Sequence, residues 1–374
     1  MTRIRTTHTG SLPRPDALAE AIMALEADGV TTPGMAQMTA AAVQDVVRRQ
    51  VDAGVDIVND GEMGRLGYTS YIKDRLGGFK GEDIGGFGNT DVVAHPEFAA
   101  REARWKPVRH IPACTEDITP GDPAELKGEL DLLKASVAAA GAAQAFMTAP
   151  SPGVISIFFA NRHYPGREAY LHAIAEAMRP DYEAIAAAGI TLQLDCPDLA
   201  MGRHATFGAL TEAEFRRESS LAVEALNFAT RNIPPEQMRI HLCWGNYEGP
   251  HHHDIELARI IDIVLRLRPA GLGLEACNPR HAHEWEVFRD VRLPDGKYLV
   301  PGVIDSTSNY IEHPRLIAQR LLNYARLVGP ERVVAGADCG FGTSVVREWR
   351  VVPSITWAKF ASMVEGARIA SEEA

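Results

Sequence analysis

Arg239-Ile-His-Leu-Cys243 is a short apolar run that closes on an imidazole and a thiol, and its setting decides the fold. The segment before it, Glu212–Arg231, has helical patterning and stops before Ile233-Pro-Pro. The segment after it, Asp254–Arg268, has the same patterning and stops before Pro269. Proline cannot continue a helix, so each stop is local chemistry. A five-residue apolar run between two amphipathic segments reads as a buried parallel strand in a βα unit. The unit recurs outward in both directions. Candidate strands are Arg3–Thr7, Val55–Asn59, Ala145–Thr148, Thr191–Asp195, Arg239–Cys243, Gly271–Glu275, Val300–Asp305 and Arg332–Ala335. Helices are expected over Ala36–Ala53, with Met38, Ala42, Val46 and Val51 near helical spacing, and over Arg167–Ala188 before Gly189. Eight such units in one chain predict a single (β/α)8 TIM barrel over 1–374. One connection stands out. Gly77–Ile118, after the second strand, is long and rich in glycine and proline. It reads as an insertion or cover loop over 77–118, with a hairpin around Arg104–Ala113.

Bulk properties narrow the function. The 374 residues are 46% apolar and 23% charged, enough for a large core. A net charge of −11 opposes binding to nucleic acid or anionic membranes. No run approaches a membrane span, and no cleavable leader is recognisable, so a cytoplasmic protein is expected. The cysteines at 114, 196, 243, 277 and 339 are odd in number and form no CxxC pair, which argues against a disulfide framework.

In a TIM barrel the reactive groups sit where strands end. Here the ends are polar. Asp60-Gly-Glu62 follows the second strand, Asp195 ends the fourth, and His241 and Cys243 end the fifth. Glu275 ends the sixth, Asp305 the seventh and Asp338-Cys339 the eighth, while His8-Thr-Gly-Ser11 follows the first. A single buried cysteine is usually a small hydrophobe and a single strand-end aspartate usually a helix cap. Convergence of one His, two Cys and several acids on one rim points instead to metal binding. His241 and Cys243 share strand parity, and imidazole, thiolate and carboxylate together suit Zn²⁺. Glu275-Ala-Cys277 offers two residues of the same parity, so Cys277 stands as an alternative ligand to Glu275. His251-His-His253 reads as a loop entering a helix, because consecutive side chains do not converge easily on one ion.

Over nearly its whole length the sequence resembles the catalytic barrel of cobalamin-independent methionine synthases, in a short form. The resemblance rests on Thr7-His-Thr-Gly-Ser-Leu-Pro-Arg14, Asp56-Ile-Val-Asn-Asp-Gly-Glu62, Leu192-Gln-Leu-Asp195, His241-Leu-Cys243, Gly302-Val-Ile-Asp305 and Asp338-Cys-Gly340, in family order. It implies zinc held by His241, Cys243, Glu275 and Cys339. It also implies a homocysteine pocket using Ser11, Glu62 and Asp195. Two departures concern the methyl donor. The family's Asp-x-His, whose histidine donates a proton, is here Asp305-Ser-Thr307. Its folate-stacking tryptophan is absent from Ser151–Ala160, which holds Phe158 and Phe159. Asp305 and Thr307 are therefore expected to handle the proton, with Phe158, Phe159, Arg162, His163 and Glu183 as donor-side candidates.

The expected activity is zinc-dependent methyl transfer to homocysteine, without cobalamin as a bound cofactor. Expected partners are a small-molecule thiol and a methyl or alkyl donor, with a methyl-carrier protein and a homo-oligomer both compatible. Thiol alkylation of the epoxide:coenzyme M type, or methyl transfer from a corrinoid protein, uses the same thiol chemistry. A non-catalytic zinc protein is the third reading, opposed by ligands spread over three strand ends rather than paired closely.

Overall fold

A computed structural model of the chain describes residues 2–83, 88–103, 110–346 and 348–374. The strands are β1 (Arg5–Thr6), β2 (Ile57–Val58), β3 (Gly77–Asp83), β4 (Pro112–Thr119) and β5 (Gln144–Pro150). They continue as β6 (Thr191–Asp195), β7 (Met238–Leu242), β8 (Gly271–Leu274), β9 (Tyr298–Ile304) and β10 (Val334–Ala337). Eight of these form one parallel sheet in the order β1-β10-β9-β8-β7-β6-β5-β2. The ring closes where Asp56 N–H donates to Thr6 O (3.2 Å) and Thr7 Oγ1 donates to Ile57 O (3.1 Å). The fold is thus the expected (β/α)8 barrel, with every expected strand present.

The helices form because their apolar faces have a barrel to cover. Met35–Asp52 buries Val43, Val46, Val47 and Gln50. Glu212–Ala229 starts at a reciprocal cap, in which Thr211 and Glu214 each satisfy the other's backbone N–H. The expected helix over Asp254–Arg268 is reduced to single turns at Leu257–Arg259 and Ile261–Val264. Its start is claimed from outside: Glu284 Oε1 takes the Leu257 N–H at 2.6 Å, and two imidazoles bind the Asp254 carboxylate.

The segment after β2 forms an antiparallel hairpin, β3 with β4, in which Phe79 faces Cys114. Residues 104–109 of the hairpin expected around Arg104–Ala113 lie outside the described residues. Between the hairpin strands, helices Thr90–Val93 and Pro96–Glu102 reach the loop after β7. Tyr247 Oη donates to Asp91 there, and Arg101 pairs with Glu248 at 2.9 Å. No helix among the described residues is long and apolar enough to cross a membrane.

Part of the barrel interior is polar. The buried Arg239 guanidinium donates to Gln193 Oε1 (2.8 Å), Thr7 Oγ1 (2.9 Å) and His8 O (2.9 Å), and lies over the Phe146 ring. Gln193 in turn donates to Asp195 Oδ1 at 3.0 Å, so this layer fixes the first acid of the site above it.

Candidate active site

The rim is built from strand ends. His241 is the penultimate residue of β7, and Cys243 lies just beyond its end. Glu275 follows β8, and Cys339 lies two residues past β10. Cys243 Sγ and Cys339 Sγ are 3.0 Å apart, His241 Nε2 is 3.4 Å from Cys339 Sγ, and Glu275 Oε1 is 3.7 Å from it. Tetrahedral zinc with bonds of about 2.0–2.3 Å separates its ligand atoms by roughly 3.3–3.8 Å. The imidazole–sulfur and carboxylate–sulfur spacings fall in that range, the two sulfurs stand closer than zinc would hold them, and the donor chemistry suits Zn²⁺. Glu275 stands at the edge of the group, and both of its oxygens are engaged. Oε1 accepts the Trp244 N–H (2.7 Å) and Oε2 accepts Asn278 Nδ2–H (2.7 Å). Cys277 points elsewhere: Arg320 Nη1 donates to its sulfur at 2.9 Å, and Glu312 lies on the same side.

The electrostatics single out one thiol of the pair. The hydrogen bond from Cys339, helped by Gly245 N–H, holds Cys243 below the ordinary thiol range, while burial pushes Cys339 up. Burial lowers His241 toward its neutral, ligating form. Burial also raises Glu275, and the adjacent Cys243 charge adds to that.

Asp338 anchors the loop that carries Glu275. Its Oδ1 accepts the N–H groups of Ala276 and Cys277, both at 2.8 Å. Its Oδ2 accepts Asn278 N–H (2.8 Å) and Nδ2–H (3.0 Å). Gly302 makes this possible, since a Cβ there would lie 2.2 Å from Asp338 Oδ1.

Below the sulfurs is an inner cavity of about 60 Å³ lined by Ser11, Glu62, Asp195, His241, Cys243 and Cys339, among others. Glu62 reaches it from a left-handed backbone (φ 56°) in a turn held by Asn59 and Asp60 side chains. Gly10 passes so close that a Cβ would sit 2.8 Å from Glu62 Oε1. Thr148 Oγ1 donates to that oxygen (2.8 Å), whereas the buried Oε2 has no hydrogen-bond partner. Burial raises Glu62, opposed by the nearby Arg65 and Arg14 charges. Burial lifts Asp195 to about 7. On the other side of Cys339 an outer cavity of about 510 Å³ is lined by Asn246, His251, Glu275, Asp305 and Thr307, among others. Asp305 Oδ1 accepts both the N–H and the hydroxyl of Thr307 at 2.9 Å.

The expected donor-side residues are not brought to either cavity. Phe159 packs on Phe79 and Phe158 on Tyr68, both buried in the main core. Arg162 is exposed, His163 is exposed and bound to Asp117, and Glu183 is on an outer helix against Asn232 and Arg179. The helix after β5 turns its apolar residues inward, so the Phe pair serves as packing. Asn246 went unnoticed in the sequence although it lines both cavities. Its Oδ1 accepts from Ser306 and its Nδ2 donates to Gly340 O. Its place three residues after Cys243, in Trp-Gly-Asn, was the available signal.

Similarity to known proteins covers the whole arrangement. The chain is 24% identical over 372 residues to a methionine synthase of Saccharolobus islandicus, covering 98% of this chain and 95% of that protein. It is 23% identical to a methionine synthase of Thermococcus kodakarensis, covering 98% and 94%. Its fold matches the B12-independent methionine synthase of Shewanella sp. W3-18-1, solved with selenomethionine, at a TM-score of 0.76. The two are 18% identical, with coverage of 100% and 99%. A putative enzyme of the same kind from Listeria monocytogenes matches at 0.69, with 17% identity and coverage of 98% and 99%. Residues 4–368 match the family model described as the catalytic domain of cobalamin-independent synthase, and the chain belongs to that family.

Proposed function

We propose that the protein methylates the sulfur of homocysteine to give methionine, with Zn²⁺ held by His241, Cys243, Cys339 and Glu275. One observation carries this reading: a single small cavity joins the sulfur-rich donor set to two buried carboxylates, one with an unpartnered oxygen. An amino-acid thiol has matching ends. Its ammonium would meet Glu62 Oε2 and Asp195, and its sulfur would reach Cys243 and Cys339. When bound, Zn²⁺ supplies the positive charge that favours a thiolate at neutral pH. Glu62 and Asp195 bind and orient the amino acid, which removes much of the entropic cost of bringing sulfur to carbon. Glu275 keeps its carboxylate at the rim through Trp244 and Asn278, where it can withdraw as substrate enters. In the transfer, an S–CH₃ bond forms and the donor's bond to methyl breaks. Asp305, with Thr307, is a group in the outer cavity placed to hold a proton for the leaving group. That cavity is the larger of the two, as a bulky methyl donor or carrier requires. A reducing, cytoplasmic setting would keep Cys243 and Cys339 as thiols.

Alkylation of a sulfonate thiol such as coenzyme M is the second reading, and the acids oppose it. The nearby cations Arg14 and Arg65 use guanidinium donors on the Gly342, Glu62 and Thr148 carbonyls and do not line the inner cavity. The deciding experiment supplies the zinc-loaded protein with isotope-labelled methylfolate, methylcobalamin or a methylated corrinoid protein, and with homocysteine or coenzyme M. Label in methionine from at least one donor is expected. Label in methylated coenzyme M alone, or no labelled thioether at all, refutes the proposal.

A further inference from the structure

We propose that the chain holds a second divalent metal ion, separate from the thiolate site, between Asp91, His204, His251 and Asp254. Ligand atoms of Asp91, His251 and Asp254 lie within 4.8 Å of one another, and His204 stands outside that group, against Asp254. Asp91, His204 and Asp254 are buried, at 0%, 2% and 8% exposure. His204 Nδ1 is 3.2 Å from Asp254 Oδ1, but out of line for a hydrogen bond. Both ring nitrogens of His204 and the Asp254 Oδ1 therefore have no hydrogen-bond partner. Buried polar atoms are rarely left this way, and a contact that is close but misdirected is what two ligands of one ion show.

The surroundings are those of a built site. Asp254 Oδ2 is bound by His251 Nδ1 (2.8 Å) and by His281 Nε2 (2.9 Å), whose ring is oriented by Glu284 (2.9 Å). Tyr247 Oη donates to Asp91 Oδ2 at 2.6 Å, leaving that carboxylate further lone pairs. Partners behind the ligands of this kind fix ligand orientation in metal sites. His251 takes a left-handed backbone (φ 51°) that non-glycine residues adopt at a cost and that clusters at ligand clamps. Its neighbours in the histidine run turn elsewhere: His252 lies against His95, and His253 binds Thr90 Oγ1 at 3.0 Å. Two imidazoles and two carboxylates select a first-row ion such as Zn²⁺, Fe²⁺ or Mn²⁺ over Mg²⁺ or Ca²⁺. His251 lines the outer cavity, which supplies a path of entry.

The ion would tie three segments together: the excursion after β2 through Asp91, the short helix Gly202–Ala205 after β6 through His204, and the loop after β7 through His251 and Asp254. It would fasten that excursion to the wall of the outer cavity. This inference does not rest on the methyl-transfer reading.

The test uses the full chain, freed of metal and titrated with Co²⁺. Binding of two equivalents is expected. One should show intense thiolate-to-cobalt charge transfer in the near ultraviolet, and the other only weak visible bands. The Cys243→Ser/Cys339→Ser variant should keep the weakly absorbing equivalent alone. The Asp91→Asn/His204→Gln variant should keep the thiolate-bound equivalent alone, whose band also reports that the barrel has folded. Saturation of the wild type at one thiolate-bound equivalent overturns the proposal, since a proton would then bridge His251 and Asp254. Retention of both equivalents by Asp91→Asn/His204→Gln overturns it as well.

Discussion

Asp338 never touches the inner cavity, yet its replacement by asparagine should weaken metal binding at the thiolate site. The carboxylate accepts four N–H bonds from Ala276, Cys277 and Asn278, two on each oxygen. Burial raises it to about 6, so it is ionised at pH 7.5. In Asp338→Asn, either amide orientation points an NH₂ group at two N–H donors. Two charge-assisted bonds are lost, each worth about 1.5–3 kcal/mol. Some of that is recovered as Asn278 rotates away, and Asn278 also holds Glu275 Oε2. The loop between Glu275 and Asn278 then loosens while Cys339, the next residue in sequence, shifts. A second-layer loss of this kind costs about 10–100-fold in metal affinity, or roughly 1.4–2.8 kcal/mol. Competition with a chromophoric chelator for Zn²⁺ at pH 7.5 measures it. Gly302→Ala offers a check without any change of charge, because its Cβ would press on Asp338 Oδ1 from 2.2 Å. It should move affinity in the same direction. Zinc affinity within twofold of wild type in Asp338→Asn, with thermal stability unchanged, would refute the reasoning.

Three further outcomes follow from single residues. Cys277→Ser should leave metal content intact while Cys339→Ser removes it, because the Cys277 thiol faces Arg320 and Glu312; the reverse result, read by elemental analysis, would reassign the ligands. Asp195→Asn should lower kcat/KM for homocysteine by about 10–100-fold, the worth of one charged hydrogen bond, and leave turnover of a thiol lacking the amino group nearly unchanged. Asp198, buried and bonded to Ser151 (2.9 Å), is raised by burial from 3.8 to about 6. Between those pH values the folded state holds a proton that the unfolded chain has released, so this residue's contribution falls as pH rises through the window. Asp198→Asn should therefore gain on the wild type by about 3 kcal/mol between pH 3.5 and pH 7, with a plateau above pH 6. Denaturant titrations at several pH values would show a flat difference if the idea is wrong.

What could be read in the sequence was whatever sits on a strand end. His241, Cys243, Asp195 and Asp338 lie within a residue or two of a strand, where a short run fixes both parity and height. Cys277 shows the limit of parity. It has the same parity as Glu275, but β8 ends at Leu274, and beyond it Asp338 bends the backbone and sends the thiol to Arg320. Phe158 and Phe159 fail for a related reason. They lie on a seven-residue helix, Pro152–Phe158, and its end, where the choice between core and cavity depends on tertiary packing that sequence spacing does not encode.

The same contrast marks the histidine run, whose sequence reading as a loop without convergence on one ion holds in the structure. Three consecutive side chains cannot converge on one ion from a helix, and here they do not. His251 alone turns inward, by a backbone conformation no propensity scale favours, toward Asp254 and Asp91, and Asp254 in turn meets His204 and His281. Asp91 comes from the excursion after β2, and His204 from the short helix Gly202–Ala205 after β6. A site assembled by one inverted residue and two distant segments has no period to betray it. The thiolate site, by contrast, is carried on the ends of three parallel strands of one sheet, β7, β8 and β10, whose spacing the barrel sets in advance. Removing the β2 excursion should therefore leave the thiolate site standing while dissolving the second cluster, because only the second depends on a segment outside the barrel.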